Sequence, residues 1–136
     1  MKTIAIYSNK GGVGKTTAAV NLSYYASLQG YKTLIIDLDP QSSTTFYFRV
    51  RPKVKPKARE LFRSPKAIEN SIKGSDYPGL DLLPADFSHR NLDIIFDSLR
   101  RKKYRLKIVL NIFRFDYDIV ILDCPPTINI LAENIF

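Results

Sequence analysis

Four short, mostly apolar runs lie along the chain, each bounded by polar or turn-forming residues, and the run 119–122 is apolar throughout. They occupy residues 3–7, 33–36, 80–83 and 119–122. A run of this length without polar alternation is typical of a strand buried on both faces, as in a parallel sheet covered by helices. The pattern therefore predicts an α/β fold in which helices flank a parallel sheet.

Helical periodicity separates the predicted strands. A helix is expected to begin at Lys15 and to end at Gly30, because glycine commonly follows the last turn of a helix. Together with the strands at both ends it forms a strand–helix–strand unit, which brings two parallel strands into one sheet. Further apolar helical faces are predicted at residues 92–99 and 106–113.

The middle of the chain has a weaker pattern. Pro52 and Pro56 interrupt the basic stretch 49–66, which favours a loop or extended chain there. Ser64 is followed directly by a proline, a combination typical of a helix start, and predicts a short helix toward Ile72.

Length and composition agree with one globular domain over residues 1–136, with 45% hydrophobic and 25% charged residues. The longest apolar runs are far shorter than a membrane span requires, and no secretion signal is expected. Cys124, the single cysteine, cannot form an internal disulfide, so a reducing compartment is expected.

Charge is the unusual property. The chain has 21 Lys and Arg residues against 13 Asp and Glu, a formal net charge of +8. The excess is concentrated in residues 49–66 and 100–107. Clustered cations suit a polyanion, because each neutralised phosphate releases counterions, but a solvated basic surface also accounts for the pattern.

The strongest chemical signal lies between the first predicted strand and the first predicted helix. Asn9 stands where the P-loop pattern G-x-x-x-x-G-K-[ST] has its first glycine, and Gly14, Lys15 and Thr16 are in register with the rest. Such a loop directs backbone N–H groups at phosphate oxygens, with the helix N-terminus behind them. Lys15 is predicted to contact the β- and γ-phosphates, and Thr16 to give its hydroxyl to Mg²⁺.

Carboxylates follow two of the predicted strands. Asp123 ends the strand 119–122, where a Walker B acid holds Mg²⁺, and Asp37 and Asp39 follow the strand 33–36. Because parallel strands bring their carboxyl ends to one edge, these acids are expected to gather at a ligand crevice. One of the three is expected to orient a water for attack on the γ-phosphate.

Three segments together resemble the ParA/Soj partition ATPases, members of the deviant Walker A group that also includes MinD. They are residues 10–17 (KGGVGKTT), 37–41 (DLDPQ) and 123–126 (DCPP). The first segment is shared by the whole group, whereas the other two favour the partition proteins. The resemblance runs from Lys2 to Phe136 and implies a P-loop NTPase-like sheet.

The resemblance also implies roles for individual residues. Lys10 matches the lysine that crosses to a partner subunit and contacts its ATP, and Gly12 the position where two subunits approach too closely for a side chain. Asp39 matches the carboxylate beside the hydrolytic water, and Asp37 its companion near Mg²⁺. The expected catalytic residues are Lys10, Lys15 and Asp39.

ATP or ADP with Mg²⁺ is the implied cofactor. The expected nucleotide contacts are Lys10, Gly11, Gly12, Val13, Gly14, Lys15, Thr16 and Thr17. The expected metal ligands are Thr16, Asp37 and Asp123. Weak intrinsic ATP hydrolysis is expected.

The implied function is a switch for the partition of a plasmid or chromosome. ATP joins two copies into a homodimer, the dimer binds DNA without sequence preference, and a ParB-like centromere-binding protein stimulates hydrolysis and release. The expected location is the cytoplasm, on the nucleoid, without membrane attachment.

Family members are usually much longer than this chain. Apolar residues in 128–136 predict a final helix that stops without a cap, so the domain is expected to be truncated and its sheet incomplete at the C-terminal side. Two alternatives stay open: a MinD-like ATPase acting at a membrane surface, and a nucleotide-binding fragment without turnover. The cluster 49–66 either contacts DNA or is a solvated loop.

Overall fold

A computed structural model describes residues 1–52, 56–126 and 133–134. The strands are β1 (Lys2–Ile6), β2 (Thr33–Asp37), β3 (Lys73–Gly74), β4 (Leu80–Leu83) and β5 (Ile119–Asp123). The α-helices are α1 (Lys15–Leu28), α2 (Ser43–Tyr47), α3 (Ala58–Arg63), α4 (Pro65–Glu69), α5 (Leu92–Asp97) and α6 (Arg105–Ile112). Short 3-10 helices at Phe87–Asn91 and Lys102–Tyr104 precede α5 and α6. No helix in these ranges is both long and apolar enough to cross a membrane.

The five strands form one sheet in the order β1-β5-β2-β4-β3. All neighbours pair in parallel except β3 and β4, so the predicted α/β architecture is confirmed with one short antiparallel strand added. β5 comes last along the chain but lies between β1 and β2. Its register places Asp123 opposite both Ile6 and Asp37, which aligns the carboxyl ends of three strands.

Helices cover both faces of the sheet. On one face, α3 to α6 pack on alternate strand residues, including Leu34, Ile36 and Leu122. On the other face, α1 packs on the intervening residues, including Ile35 and Ile121. This burial of both faces is why β2 and β5 carry continuous apolar runs. β1 is the outer strand of the described sheet and is only partly buried.

The expected loop across 49–66 is wrong in its second half. Ala58, Leu61 and Phe62 are buried on one face of α3, and Ser64 caps α4 with its Oγ accepting from the Ala67 N–H at 3.4 Å. Arg59 and Glu60 separate Ala58 from Leu61 and Phe62, so the sequence shows no clear apolar pattern here. α2 was also unpredicted. Of the final helix expected over 128–136, Glu133 and Asn134 are helical and the other residues lie outside the described ranges.

His89 should make folding stability fall below its ordinary pKa of 6.5. Its ring is buried near Phe62, and burial lowers its pKa despite the neighbouring Asp86. As pH falls below 6.5, the unfolded chain binds a proton that the folded chain does not, so the free energy of unfolding decreases by up to about 1.4 kcal/mol per pH unit.

Urea unfolding at several pH values checks this expectation. The variant His89→Asn keeps a polar group that can accept the Asp86 N–H, which lies 3.1 Å from Nδ1 of His89, but does not titrate. The stability difference between wild type and variant should therefore shrink as pH falls. A difference that stays constant from neutral to mildly acidic pH would contradict the assignment.

Candidate nucleotide-binding site

The glycine-rich loop joins β1 to α1 at the carboxyl edge of the sheet. Gly12 and Gly14 have φ values of 70° and 86°, a left-handed conformation that favours glycine. A Cβ atom added at either residue would meet no atom within 4 Å. Within the single chain, glycine at these positions is therefore required by backbone conformation rather than by crowding.

The two lysines of the loop differ in their surroundings. Lys15 is the first residue of α1 and is half-buried, and its Nζ donates to the Lys10 carbonyl at 3.3 Å. Its side chain therefore lies across the loop that it follows. Lys10 is exposed, and its backbone N–H donates to Ser8 Oγ at 3.1 Å. Lys15 is thus placed toward the phosphate loop and Lys10 toward the solvent.

The remaining predicted contacts lie on the same loop and first turn. Gly11 and Thr17 are exposed, and Val13 is 50% exposed. The Thr17 carbonyl accepts from Asn21 Nδ2 at 2.8 Å within α1. The structure therefore brings all eight predicted nucleotide contacts together in a continuous segment.

Asp123 lies beneath the loop at the end of β5. Its Oδ2 accepts from Thr16 Oγ1 at 2.9 Å and from Thr44 Oγ1 at 2.7 Å. Its Oδ1 is buried and has no hydrogen-bond partner among the described residues. Burial raises the pKa of Asp123, the two threonine hydrogen bonds oppose that rise, and the charge of Asp39 adds to it.

Asp37 is tied to the start of the chain segment that follows it. Its Oδ2 accepts from the backbone N–H and the hydroxyl of Thr45 at 2.9 and 2.7 Å, and its Oδ1 from the Asp39 N–H at 3.1 Å. Burial raises its pKa to about 7, the Thr45 hydrogen bonds act in the opposite direction, and Asp123 adds to the rise. Asp37 therefore lies beside the site and also positions α2.

Asp39 is the least enclosed of the three acids. It is half-buried, and its Oδ1 accepts from the Gln41 N–H at 2.9 Å in a local turn. Its charge acts on Asp123, as the pKa of Asp123 shows. The predicted gathering of three carboxylates at one edge is therefore present.

Thr44 and Thr45 are site residues that the sequence analysis missed. Thr44 bonds to Asp123, and Thr45 bridges Asp37 and the Ala85 N–H, which its Oγ1 accepts at 2.9 Å. The signal that was available is the polar run Ser42–Thr45 directly after the Asp37–Pro40 strand end. Hydroxyl groups in this position are able to donate hydrogen bonds to buried carboxylates.

The oxygen atoms at this edge fit Mg²⁺. Mg²⁺ keeps several waters and takes one or two carboxylates plus phosphate oxygens, rather than a closed protein cage. The unpartnered Oδ1 of Asp123 and the adjacent Thr16 hydroxyl supply such a partial set. Within the described residues no group of three or more His, Cys, Asp or Glu side chains forms a metal cluster, so a self-contained metal centre is not what this edge offers.

Comparison with known proteins identifies relatives over nearly the whole chain. The chromosome partitioning protein ParA of Caulobacter vibrioides is 32% identical over 137 residues. The sporulation initiation inhibitor protein Soj of Bacillus subtilis is 32% identical over 134 residues. The alignments cover 98% of this chain but 51% and 53% of those proteins, so the chain spans about half the length of these relatives.

Solved structures share the fold. A plasmid partition protein from Borrelia burgdorferi matches with a TM-score of 0.84 and 32% identity, over 98% of this chain and 59% of that one. Cobyrinic acid a,c-diamide synthase from Mycobacterium smegmatis, with bound ADP and magnesium, matches with a TM-score of 0.86 and 30% identity, over 98% and 55%. A McdA variant from Cyanothece in complex with ATP matches with a TM-score of 0.86 and 30% identity, over 98% of this chain and 52% of that one.

These similarities confirm the predicted resemblance to the ParA and Soj proteins and the predicted fold class. A family model described as an AAA domain matches residues 1–136. Since that one model spans the chain from end to end, the chain belongs to the AAA_31 family of AAA domains.

Proposed function

We propose that this chain binds ATP with Mg²⁺ at the β1–α1 loop and hydrolyses it. The observation that carries the proposal is the contact of the Thr16 hydroxyl with Asp123, whose second oxygen is buried with no hydrogen-bond partner among the described residues. The ADP, ATP and magnesium found in the structural relatives support it.

Each residue of the loop has a distinct part in the proposed chemistry. The backbone N–H groups from Gly11 to Gly14 hold phosphate oxygens, and Lys15 swings from the Lys10 carbonyl to the β- and γ-phosphates. Thr16 and Asp123 hold Mg²⁺, which neutralises charge on the phosphate oxygens when bound, and Asp37 lies beside them as the third predicted ligand.

Asp39 is the proposed positioning group for the attacking water. It is at the same strand edge as Asp123 but is less buried, so a water can reach it. Its carboxylate accepts a hydrogen bond from that water and orients it toward the γ-phosphate, as acids or amides do in related phosphoryl-transfer sites. Its local turn to Gln41 holds the carboxylate in place.

We infer further that ATP joins two copies of this chain and that the dimer serves DNA partition. The exposed Lys10 is free to reach a second nucleotide, and the similarity to ParA, Soj and a plasmid partition protein supports this assignment. The net charge of +8 suits non-specific binding to DNA. A ParB-like protein is the proposed stimulator of hydrolysis, in the cytoplasm on the nucleoid.

Two alanine variants test this function. Lys10→Ala should lose the ATP-dependent dimer, because the group that crosses to the partner is absent. Asp39→Ala should form the dimer with ATP but hydrolyse ATP at least about tenfold more slowly, the usual contribution of a positioned acid or base being about 10²–10⁴-fold. Light scattering with ATP and ADP measures the dimer, and phosphate release measures turnover.

The two readouts separate the parts of the proposal. A Lys10→Ala chain that dimerises like wild type removes the crossing role of Lys10, and unchanged turnover in Asp39→Ala removes Asp39 from the chemistry. Nucleotide binding without any turnover in wild type favours the second candidate, a binding fragment. The span of about half the relatives' length is the observation that favours that candidate.

A further inference from the structure

Four arginines converge on one pocket in the helical layer away from α1. The pocket has a volume of about 270 Å³ and is lined by Arg59, Arg63, Ser98, Leu99, Arg100 and Arg105. None of these residues belongs to the nucleotide loop or to the carboxylate edge. The two basic clusters of the sequence, which are separated by more than thirty residues, therefore meet at one place in the fold.

Buried aromatic packing holds the walls of this arginine pocket. Arg59 and Arg63 are four residues apart on α3 and project away from its buried face. The Phe62 ring of α3 lies 5.1 Å from the Phe96 ring of α5, centroid to centroid. Arg105, the first residue of α6, donates from Nε to the Phe62 carbonyl. The core thus fixes the helix that carries Arg59 and Arg63 and also the guanidinium group of Arg105.

The positive charge of the arginine pocket is not compensated within the described residues. No ion pair in those ranges involves Arg59, Arg63, Arg100 or Arg105, and no acid lines the pocket. The acid that ends α5, Asp97, is paired with Lys102 at 2.5 Å. Like charges held together oppose folding, and a bound anion relieves that repulsion.

We propose that the arginine pocket binds the backbone phosphates of duplex DNA and is a DNA contact surface of this chain. The planar guanidinium fork binds phosphate through two parallel hydrogen bonds, which makes arginine better suited than lysine to this task. Arg59, Arg63 and Arg100 are exposed, so a long polyanion can reach them from outside. This assignment rests on the DNA partner of the proposed function.

The composition of the lining favours nucleic acid over a membrane. A membrane-binding surface combines cations with a broad apolar face that enters the lipid. The only apolar side chain that lines this pocket among the described residues is Leu99, which is half-buried. The lining also offers no residue pattern for reading bases, so the expected binding is independent of sequence.

Fluorescence anisotropy with labelled duplexes of two unrelated sequences tests the proposal on the full chain with ATP and Mg²⁺. The triple variant Arg59→Gln, Arg63→Gln, Arg100→Gln leaves the Arg105 contact intact. Its charge-matched control is Lys32→Gln, Lys73→Gln, Arg114→Gln, at positions outside the pocket. Each phosphate contact contributes about 0.9 to the slope of log affinity against log salt. For the pocket variant, the slope of log affinity against log salt should therefore become shallower by about two to three, and the affinity for DNA should fall at least about tenfold. In the control variant both the slope and the affinity should change less.

The outcomes distinguish this inference from the proposed function. If the pocket variant reduces ATP-dependent DNA binding no more than the control variant does, the arginine pocket is not a DNA contact surface. The proposed ATPase switch is then unaffected. Loss of DNA binding in the pocket variant, with its ATP affinity unchanged in calorimetry, supports the pocket whether or not ATP is required. Absence of DNA binding by wild type, or pocket-dependent binding only to phosphatidylglycerol vesicles, overturns it.

Discussion

Replacing Lys15 with alanine is expected to lower the affinity for Mg-ATP by at least about thirtyfold. The loop keeps its glycines in this variant, but the cation that we propose to face the β- and γ-phosphates is gone. Removing one partner of a close charge pair costs about 2–5 kcal/mol, which corresponds to this loss. Calorimetric titration of wild type and variant with Mg-ATP and Mg-ADP measures the change.

Lys32→Ala is the matched control, since Lys32 is exposed and distant from the loop in sequence. It should bind nucleotide like wild type. Circular dichroism should show that Lys15→Ala is folded, because its ammonium group donates to the exposed Lys10 carbonyl and not to a core residue. Equal affinities of wild type and Lys15→Ala would disprove the phosphate role of this lysine.

Asp123→Asn should have two opposite effects. In the metal-free protein it should raise the free energy of unfolding by about 1–3 kcal/mol, because a buried carboxylate near two other acids is replaced by a neutral group. Burial raises the pKa of Asp123, which means that the folded state disfavours the ionised form of this carboxyl. With Mg²⁺ and nucleotide, the same change should remove the stabilisation that depends on the metal.

Thermal unfolding in EDTA and in Mg-ATP measures both effects in one assay. Asp76→Asn is the control, because Asp76 is exposed in a turn and should respond to Mg-ATP like wild type. The result that counts against the metal site is an Asp123→Asn chain with the same Mg-dependent shift in melting temperature as wild type. A lower stability in EDTA would show that the Asp123 charge stabilises the fold.

The fold could be predicted from the sequence wherever the signal is local and continuous. β2, β4 and β5 are predictable because their residues are almost all buried, and the strand 80–83 has the predicted bounds. β1 is only partly buried, but its apolar run is still continuous enough to predict a strand. β3 has only two residues and no apolar pattern, so its pairing depends on β4 alone. α3 is not predictable because its three buried residues are few and are interrupted by Arg59 and Glu60. No local signal reports such a short amphipathic face.

The candidate site was predictable in its loop and its acids, but not in the hydroxyls that satisfy them. A glycine loop with lysine and threonine has a fixed spacing, and strand-end acids meet wherever parallel strands align. Thr44 reaches Asp123 across 79 positions of sequence, and that contact depends on how α2 folds back on the edge. The same holds for the arginine pocket, which joins two clusters that are separate in the sequence.

The position of β5 has a consequence for how this protein is made. β1 and β2 emerge from the ribosome early, yet they do not pair with each other. In the described sheet β1 pairs only with β5, and β2 pairs with β5 and β4. The nucleotide loop therefore lacks its partner Asp123 until almost the whole described chain has been translated. Pairing between distant segments is slow, and unpaired apolar strands are prone to aggregate. The sheet is therefore expected to stay incomplete during translation until β5 has emerged from the ribosome. Until then the nascent chain exposes apolar strands, to which chaperones bind.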